Sequence, residues 1–155
     1  MTTTLTCRCG ACRMEAEGAP IQTVLCTCDS CRMALDQLGI APEASGERLA
    51  EGVPYVMLRK DRVRMVAGEG LLSAHRLRPD SPTRRAVATC CNSFFFTDFT
   101  RGHWLSVSAA RWPAPVRPQR RASGAVFMAK LLGAWARMGL RTPRLDYPHE
   151  ETARG

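Results

Sequence analysis

Short runs of apolar residues in the middle of the chain have the spacing that is typical of β-strands. Residues 55–58 form one such run, and positions 63, 65 and 67 are apolar and alternate with Arg64 and Val66. Glycines at 68 and 70 and a Pro- and Ser-containing segment at 78–82 predict turns. Further strand candidates are residues 71–77, 86–89, 94–96 and 104–107. The pattern therefore predicts a series of short strands between residues 53 and 107.

A different pattern, a proline-rich connector followed by a helix, occupies the C-terminal third. Residues 111–121 hold three prolines and four arginines, which predicts an extended, solvated connector. Residues 124–138 are apolar apart from Lys130 and Arg137, with Ser123 placed as an N-cap and Gly139 placed to end a helix. This stretch is too short and too charged for a transmembrane segment. We expect an amphipathic helix that docks on the domain, pairs in a homodimer or lies on a membrane surface.

Six cysteines within the first 32 residues form two copies of one motif. Both copies have the pattern C-x-C-x-x-C-R-M, and they begin at Cys7 and Cys26, nineteen residues apart. Ligands one to three residues apart on a turn can bind the same ion. The repeat therefore predicts two metal-binding loops, and the adjacent pair Cys90 and Cys91 completes the eight cysteines of the chain.

Composition favours metal binding over disulfide bonds. The 155 residues suit one domain, and with 45% of them hydrophobic the chain can bury a core without covalent crosslinks. The N-terminus shows no basic segment followed by an apolar one, so we expect a cytoplasmic protein. Disulfides are rare in that reducing compartment, where clustered thiolates commonly bind zinc. Copper(I) is the alternative ion for thiolates.

The net charge of +8 leaves several partner classes open. Arginine supplies 20 of the 22 basic residues. Positive charge favours nucleic acid, an anionic membrane or an acidic small molecule as a partner. The arginines are spread along the whole chain, however, which is also the result of a simple compositional bias. The ordinary hydrophobic content does exclude a disordered chain and a multi-pass membrane protein.

The cysteine motifs resemble those of the glutathione-dependent formaldehyde-activating enzyme family, which includes the centromere protein V domain. Residues 7–10, Cys-Arg-Cys-Gly, match the family's first motif, and residues 26–32, Cys-Thr-Cys-Asp-Ser-Cys-Arg, match its second in full. The third motif, C-x-x-C-G-[ST] in the family, is altered. Here residues 90–95 are Cys-Cys-Asn-Ser-Phe-Phe, an adjacent cysteine pair with Asn where Gly is usual. The resemblance covers roughly residues 5–110.

The resemblance implies a mainly β fold, a β-tent of antiparallel sheets around two zinc sites, here with a C-terminal α-helix. We accordingly divide the chain into a zinc-binding β domain (1–110), a connector (111–122), a helix (123–141) and a tail (142–155). The resemblance implies two sets of zinc ligands. A closed site would be formed by Cys7, Cys9, Cys90 and Cys91. An open site, with one coordination position free, would be formed by Cys26, Cys28 and Cys31.

The adjacent pair leaves alternatives open for the ligands of the closed site. Neighbouring residues on a strand point to opposite faces, so Cys90 and Cys91 can share one ion only through a turn. If they do not share it, Cys91 is the expected ligand ahead of Cys90, and Cys12 becomes a candidate. With four plus three ligands assigned, Cys12 is the cysteine left over.

The resemblance implies that the open site is that of a carbon–sulfur lyase, which acts on glutathione or another thiol adduct of the S-hydroxymethylglutathione type. Zinc held by three thiolates has a fourth position for a substrate. Arg32, together with Arg8 and Arg13, is a candidate partner for the substrate's carboxylates. The alternative is a non-catalytic zinc module that binds nucleic acid or a protein through an arginine-rich surface, notably residues 111–121. The sequence shows no base-reading motif.

Overall fold

Ten strands form two β-sheets in the described residues, which are 1–40, 51–119, 124–146 and 149–152 of a computed structural model. The smaller sheet is antiparallel and has the order β1 (Thr2–Thr6), β2 (Arg13–Glu17) and β5 (Val63–Ala67). The larger sheet has the order β10 (His149–Thr152), β6 (Leu72–Arg76), β7 (Thr83–Ala88), β8 (Ser93–Phe99), β9 (Trp104–Ser108), β4 (Val53–Arg59) and β3 (Gln22–Cys26). Its strands pair antiparallel except β10, which is parallel to β6. The predicted mainly β class is confirmed.

Two α-helices accompany the sheets in the described part of the chain. Helix α1 (Asp29–Gln37) begins inside the second cysteine motif, and helix α2 (Gly124–Arg137) follows the connector. Gly139 has a φ of 63°, the left-handed conformation that commonly ends helices, as predicted. Ser123, the predicted N-cap, lies outside the described residues. Neither helix is long and apolar enough to cross a membrane.

The larger sheet is covered on both faces, which explains its hydrophobic runs. On one face Val56 and Leu105 pack against Leu5 and Met14 of the smaller sheet. On the other face Tyr55, Val53 and Phe94 pack with Leu35 of α1. A strand buried on both faces needs apolar side chains at successive positions instead of an alternation. Six of the seven residues of β4 are accordingly buried.

Helix α2 docks on the same face of the domain as α1. Of the three arrangements predicted for this helix, docking on the domain is therefore the one that the structure shows. The buried ring of His103 contacts the Leu131 carbonyl oxygen through Nε2 at 2.8 Å and stacks on Trp135 at 5.9 Å between ring centroids. Arg59 donates a hydrogen bond to the Arg137 carbonyl oxygen at 3.2 Å. The opposite side of α2 exposes apolar residues, among them Met128 and Leu132. The predicted homodimer stays a prediction.

The connector is less solvated than its composition indicates. Arg111 is buried, at 6% exposure, in a 3-10 turn that spans Ala109–Arg111. Further along, the Gln119 carbonyl accepts a hydrogen bond from the Leu25 amide at 3.3 Å. Thr23 likewise donates to the Arg117 carbonyl at 3.3 Å. These contacts cover the edge of β3, an edge that would otherwise leave backbone groups unpaired.

Candidate metal centres

The first cluster forms where two turns meet. Cys7 and Cys9 lie after β1, Cys90 and Cys91 lie between β7 and β8, and all four sulfur atoms are within 4.8 Å of one another. The Sγ atoms of Cys7 and Cys9 are 3.5 Å apart, and Cys90 Sγ is 3.8 Å from Cys7 Sγ and 3.4 Å from Cys9 Sγ. Tetrahedral zinc with bonds of about 2.3 Å places its sulfur ligands about 3.8 Å apart. The four thiols fit such an ion.

A tight turn allows the adjacent cysteines to converge. Asn92 has a φ of 49°, in the left-handed region, and this turns the chain directly after Cys91. The Sγ atoms of Cys90 and Cys91 lie 3.9 Å apart. Cys90 and Cys91 can share one ion only if the chain turns between the two strands, and the structure has this turn. Asn is one of the few residues with a side chain that adopts this conformation readily.

Arg8 and Ser93 hold the two turns together. The Ser93 hydroxyl lies 2.9 Å from Cys91 Sγ and accepts a hydrogen bond from the Arg8 amide at 3.1 Å. The Arg8 guanidinium also donates to the Cys91 carbonyl oxygen. Partial burial opposes ionisation of Cys91, yet hydrogen bonds from Ser93, Cys9 and Cys7 lower its pKa to about 6. Cys91 thus favours the thiolate form that binds metals, whereas burial and the hydrogen bonds with Cys9 and Cys7 raise the pKa of Cys90.

Cys12 lies next to this cluster without joining its four thiols. Its thiol is fully buried and donates to the Gly68 carbonyl oxygen at 3.3 Å, while its amide donates to Cys7 Sγ at 3.3 Å. Burial raises the pKa of Cys12 to about 11. The Cys12 thiol is therefore a neutral core group, and it is the backbone amide of this residue that contacts the Cys7 sulfur.

The second cluster joins the end of a strand to the start of a helix. Cys26 ends β3, Cys28 is the N-cap of α1 and Cys31 lies in the first turn of that helix. Cys26 Sγ is 3.3 Å from Cys28 Sγ and 3.4 Å from Cys31 Sγ. Within the described residues no fourth Cys, His, Asp or Glu joins this group. The hydrogen bond to Cys26, with burial, raises the pKa of Cys31 above the ordinary thiol range.

Arg85 forms hydrogen bonds to this loop from the larger sheet. The sequence did not predict this role for Arg85. The Arg85 side chain is 2% exposed and donates from Nη2 to the Ser30 hydroxyl at 2.9 Å and to the Ser30 carbonyl at 3.4 Å. Ser30 lies between Cys28 and Cys31. The one sequence signal for Arg85 is its position at the start of an apolar strand candidate, where a solvated arginine is not expected.

A cavity of about 150 Å³ adjoins the second cluster. Its lining comprises two cluster thiols, three hydroxyl groups and five apolar side chains: Cys26, Cys31, Tyr55, Thr97, Ser106, Val24, Leu25, Met57, Trp104 and Phe127. The Tyr55 hydroxyl lowers the pKa of the Cys31 thiol, against the larger effects of Cys26 and burial, and lies 3.4 Å from Thr97 Oγ1. A wider groove of about 740 Å³ lies between α2 and the turn after β2, and its described lining contains no cysteine. The chemistry-bearing residues thus surround the smaller cavity.

The predicted carboxylate partners have structural contacts of their own. Arg32 donates to the Glu51 carbonyl oxygen at 3.1 Å, and Arg8 is engaged at the first cluster. A role for either in substrate binding stays a prediction. Of the arginines in the connector, Arg117 is exposed and Arg111 is buried, while 120 and 121 lie outside the described residues. Binding of nucleic acid through this segment likewise stays a prediction.

Comparison with known proteins adds support for the fold alone. The sequence matches no model of a known protein family and no curated protein. Among solved structures, the chain is similar to the crystal structure of a Rhodobacter sphaeroides protein from a structural genomics programme. The similarity has a TM-score of 0.52 at 19% sequence identity, over 76% of this chain and 92% of that one. The two cysteine clusters have sulfur positions that could hold metal ions.

Proposed function

We propose that the chain is a zinc protein of the formaldehyde-activating type, with a structural four-cysteine site and a three-cysteine site that acts on thiol adducts. The observation that carries this proposal is the second cluster. Its three thiols converge, no fourth described ligand joins them, and two of them line a cavity. Zinc sites with a position left open are those that perform chemistry, whereas closed four-cysteine sites stabilise folds.

The proposed reaction cleaves the carbon–sulfur bond of a hydroxyalkyl thiol adduct. Zinc bound to the three thiolates would supply a Lewis acid that stabilises a thiolate near neutral pH. The electron pair of the carbon–sulfur bond stays on sulfur, the hydroxyl proton passes to that sulfur, and the carbon–oxygen bond becomes a carbonyl. The products are a thiol and an aldehyde, and no oxidant or reductant is required. Tyr55 and Thr97 offer hydroxyl groups beside Cys31 that orient the oxygen of the adduct.

Native mass spectrometry combined with exchange NMR tests the proposal. We expect two zinc ions per chain, and acceleration of the exchange between formaldehyde and glutathione or a smaller thiol. Cys28→Ala should lose one ion and the activity while keeping the fold. Cys90→Ala should lose the other ion and unfold, because structural zinc contributes on the order of 10–16 kcal/mol in small domains.

Cys12→Ala is the matched control, because Cys12 is a buried cysteine outside both sets of thiols. This variant should retain both ions and the activity. A wild-type protein that binds one ion or none would contradict the two-site assignment. Two bound ions without acceleration of any thiol–aldehyde exchange would contradict the lyase assignment.

A further inference from the structure

We infer that the cavity beside the second cluster is a substrate pocket for a small uncharged organic group of about six non-hydrogen atoms, larger than a hydroxymethyl group. The inference rests on the proposed function and names the substrate class of the same site. It assigns Phe127 of α2 as the residue that limits the size of the group.

The charge of the lining favours an uncharged group. No charged side chain is among the described residues that line the cavity, and its polar groups are thiols and hydroxyls. Burial of a carboxylate without a cationic partner is strongly unfavourable. The carboxylates of a peptide thiol therefore stay outside this cavity. An alkyl or aryl group fits the apolar walls, and a single oxygen can bond to the hydroxyl of Tyr55, Thr97 or Ser106.

The positions of these hydroxyls follow from the strand register. Ser106 of β9 pairs with Thr97 of β8 on one side and with Met57 of β4 on the other. Directly paired residues of neighbouring strands lie on the same face of a sheet. The three side chains therefore form a fixed floor, and Cys26 and Cys31 lie at its edge. A group bound on this floor lies against the second cluster.

The cavity is larger than formaldehyde needs, so its volume argues against formaldehyde as the aldehyde from which the thiol adduct is formed. A dry, apolar cavity of about 150 Å³ in another protein binds benzene, which has six carbon atoms. The present cavity has the same volume, about 150 Å³. Formaldehyde has two non-hydrogen atoms and would leave most of the walls without contacts, so little dispersion energy would be gained. The volume therefore points to an alkyl or aryl group of roughly six atoms.

One wall comes from α2, which lies outside the part of the chain that resembles the enzyme family. Phe127 lines the cavity, whereas its neighbour Met128 is 50% exposed. The His103 contact to Leu131, one turn further along the helix, fixes α2 against the sheet. Phe127 is therefore held in place as part of a docked helix. Removal of its ring should enlarge the pocket without exposing the second cluster's own loop.

Titration of the cobalt-loaded full chain with two thiols of equal size tests the inference. 2-Methylpropane-1-thiol and mercaptoacetate each have five non-hydrogen atoms, but only mercaptoacetate carries a carboxylate. Changes in the cobalt–thiolate absorption report binding without reliance on turnover. We expect the uncharged thiol to bind the wild type at least about tenfold more tightly, a difference of about 1.4 kcal/mol.

The size limit is tested with Phe127→Ala and a larger probe, phenylmethanethiol. Relative to wild type, the variant should bind this larger thiol about tenfold more tightly and the five-atom thiol more weakly. Met128→Ala is the control and should match the wild type, and Phe127→Leu serves if the alanine variant does not fold. Equal affinity for the two small thiols, or identical profiles for the two alanine variants, would overturn the pocket while leaving the thiol site in place. If two cobalt ions bind and no thiol alters their spectrum, the proposed function and this inference both fail.

Discussion

Arg85 donates a 2.9 Å hydrogen bond to the Ser30 hydroxyl and thereby ties the interior of the larger sheet to the loop of the second cluster. The same Nη2 atom contacts the Ser30 carbonyl oxygen at 3.4 Å. Both contacts fall between two cluster cysteines, Cys28 and Cys31. A planar guanidinium on a buried strand is a rigid support, so this contact fixes the loop in the conformation that brings the thiols together.

Arg85→Met should weaken metal binding at the second cluster. Loss of residues that orient metal ligands commonly lowers metal affinity 10–100-fold, and we expect a decrease in that range. Competition with a chromophoric chelator measures the affinity of each site. The four-cysteine site is the internal control and should keep its affinity. Ser30→Ala should reproduce much of the loss, and the double variant should be little worse than Arg85→Met alone. Unchanged affinity in Arg85→Met would contradict this support role.

The buried charge cluster around Asp98 predicts a large effect on stability. Asp98 Oδ1 is 2.7 Å from Lys60 Nζ, with both side chains fully buried, and Asp98 Oδ2 is 2.8 Å from Arg84 Nη2. Asp98→Asn leaves a buried ammonium without its counter-charge. Removal of one partner from a buried pair typically costs about 3–5 kcal/mol. Urea unfolding should show a decrease of this size.

The exposed pair of Arg62 and Glu17 is the matched control for Asp98. These side chains are 50% and 55% exposed and lie 3.3 Å apart. Water screens such a pair, and we expect Glu17→Gln to change the free energy of unfolding by less than about 1 kcal/mol. Similar losses in the two variants would mean that burial does not govern the contribution of Asp98.

The strands that the sequence predicts well are those with clear hydrophobic signals. The runs at 55–58, 94–96 and 104–107 correspond to β4, β8 and β9, because burial on both faces demands apolar residues. The apolar stretch at 124–138 likewise corresponds to α2. The strands of the first 26 residues are not indicated, since β1 is mostly threonine and β2 alternates apolar residues with glutamates over only five positions.

The site shows a similar division between local and non-local information. The spacing of cysteines within each motif is local. It predicts the convergence of Cys26, Cys28 and Cys31, but in the first motif the same spacing does not distinguish Cys12, which stays outside the cluster. The contact of Arg85 with Ser30 joins residues 55 positions apart, and neither local sequence indicates that these two residues pair. The wall contributed by Phe127 depends in the same way on how α2 docks. Sequence patterns therefore indicated the candidate metal ligands, but they did not indicate the residues that position those ligands or line the cavity beside them.

The pH dependence of stability should include a contribution from His103. Burial, together with the charges of Lys60 and Arg59, outweighs the hydrogen bond to Leu131 and lowers the pKa of His103 below its ordinary value of 6.5. The unfolded chain therefore binds this proton more tightly than the folded chain. The stabilisation is complete above about pH 6.5 and is lost as the pH falls through the lower pKa of the folded state.

His103→Gln isolates this contribution, because glutamine keeps an amide donor but does not titrate. Below pH 6.5 the wild type should lose stability more steeply than the variant, and both should lose bound metal at the same pH. Tryptophan fluorescence follows the docking of α2, because Trp135 stacks on His103. Parallel slopes for the two proteins between pH 6.5 and pH 5 would show that His103 binds its proton equally tightly in the folded and unfolded chains, which would contradict the lowered pKa.

The left-handed conformation of Asn92 predicts which substitutions the four-cysteine site tolerates. Asn92→Gly should keep the metal affinity of this site and lose no more than about 1 kcal/mol of stability, because glycine adopts a φ of 49° without steric cost and only an exposed side-chain hydrogen bond is lost. Asn92→Val should cost about 1–2 kcal/mol and weaken metal binding, because a side chain branched at Cβ is unfavourable there. Both variants lose the 3.2 Å hydrogen bond from Asn92 Nδ2 to the Gly39 carbonyl oxygen, so their difference reports the backbone conformation alone. Thermal unfolding and chelator competition measure the two effects. If the valine variant equals the glycine variant in both assays, the turn does not depend on this conformation to bring Cys90 and Cys91 together.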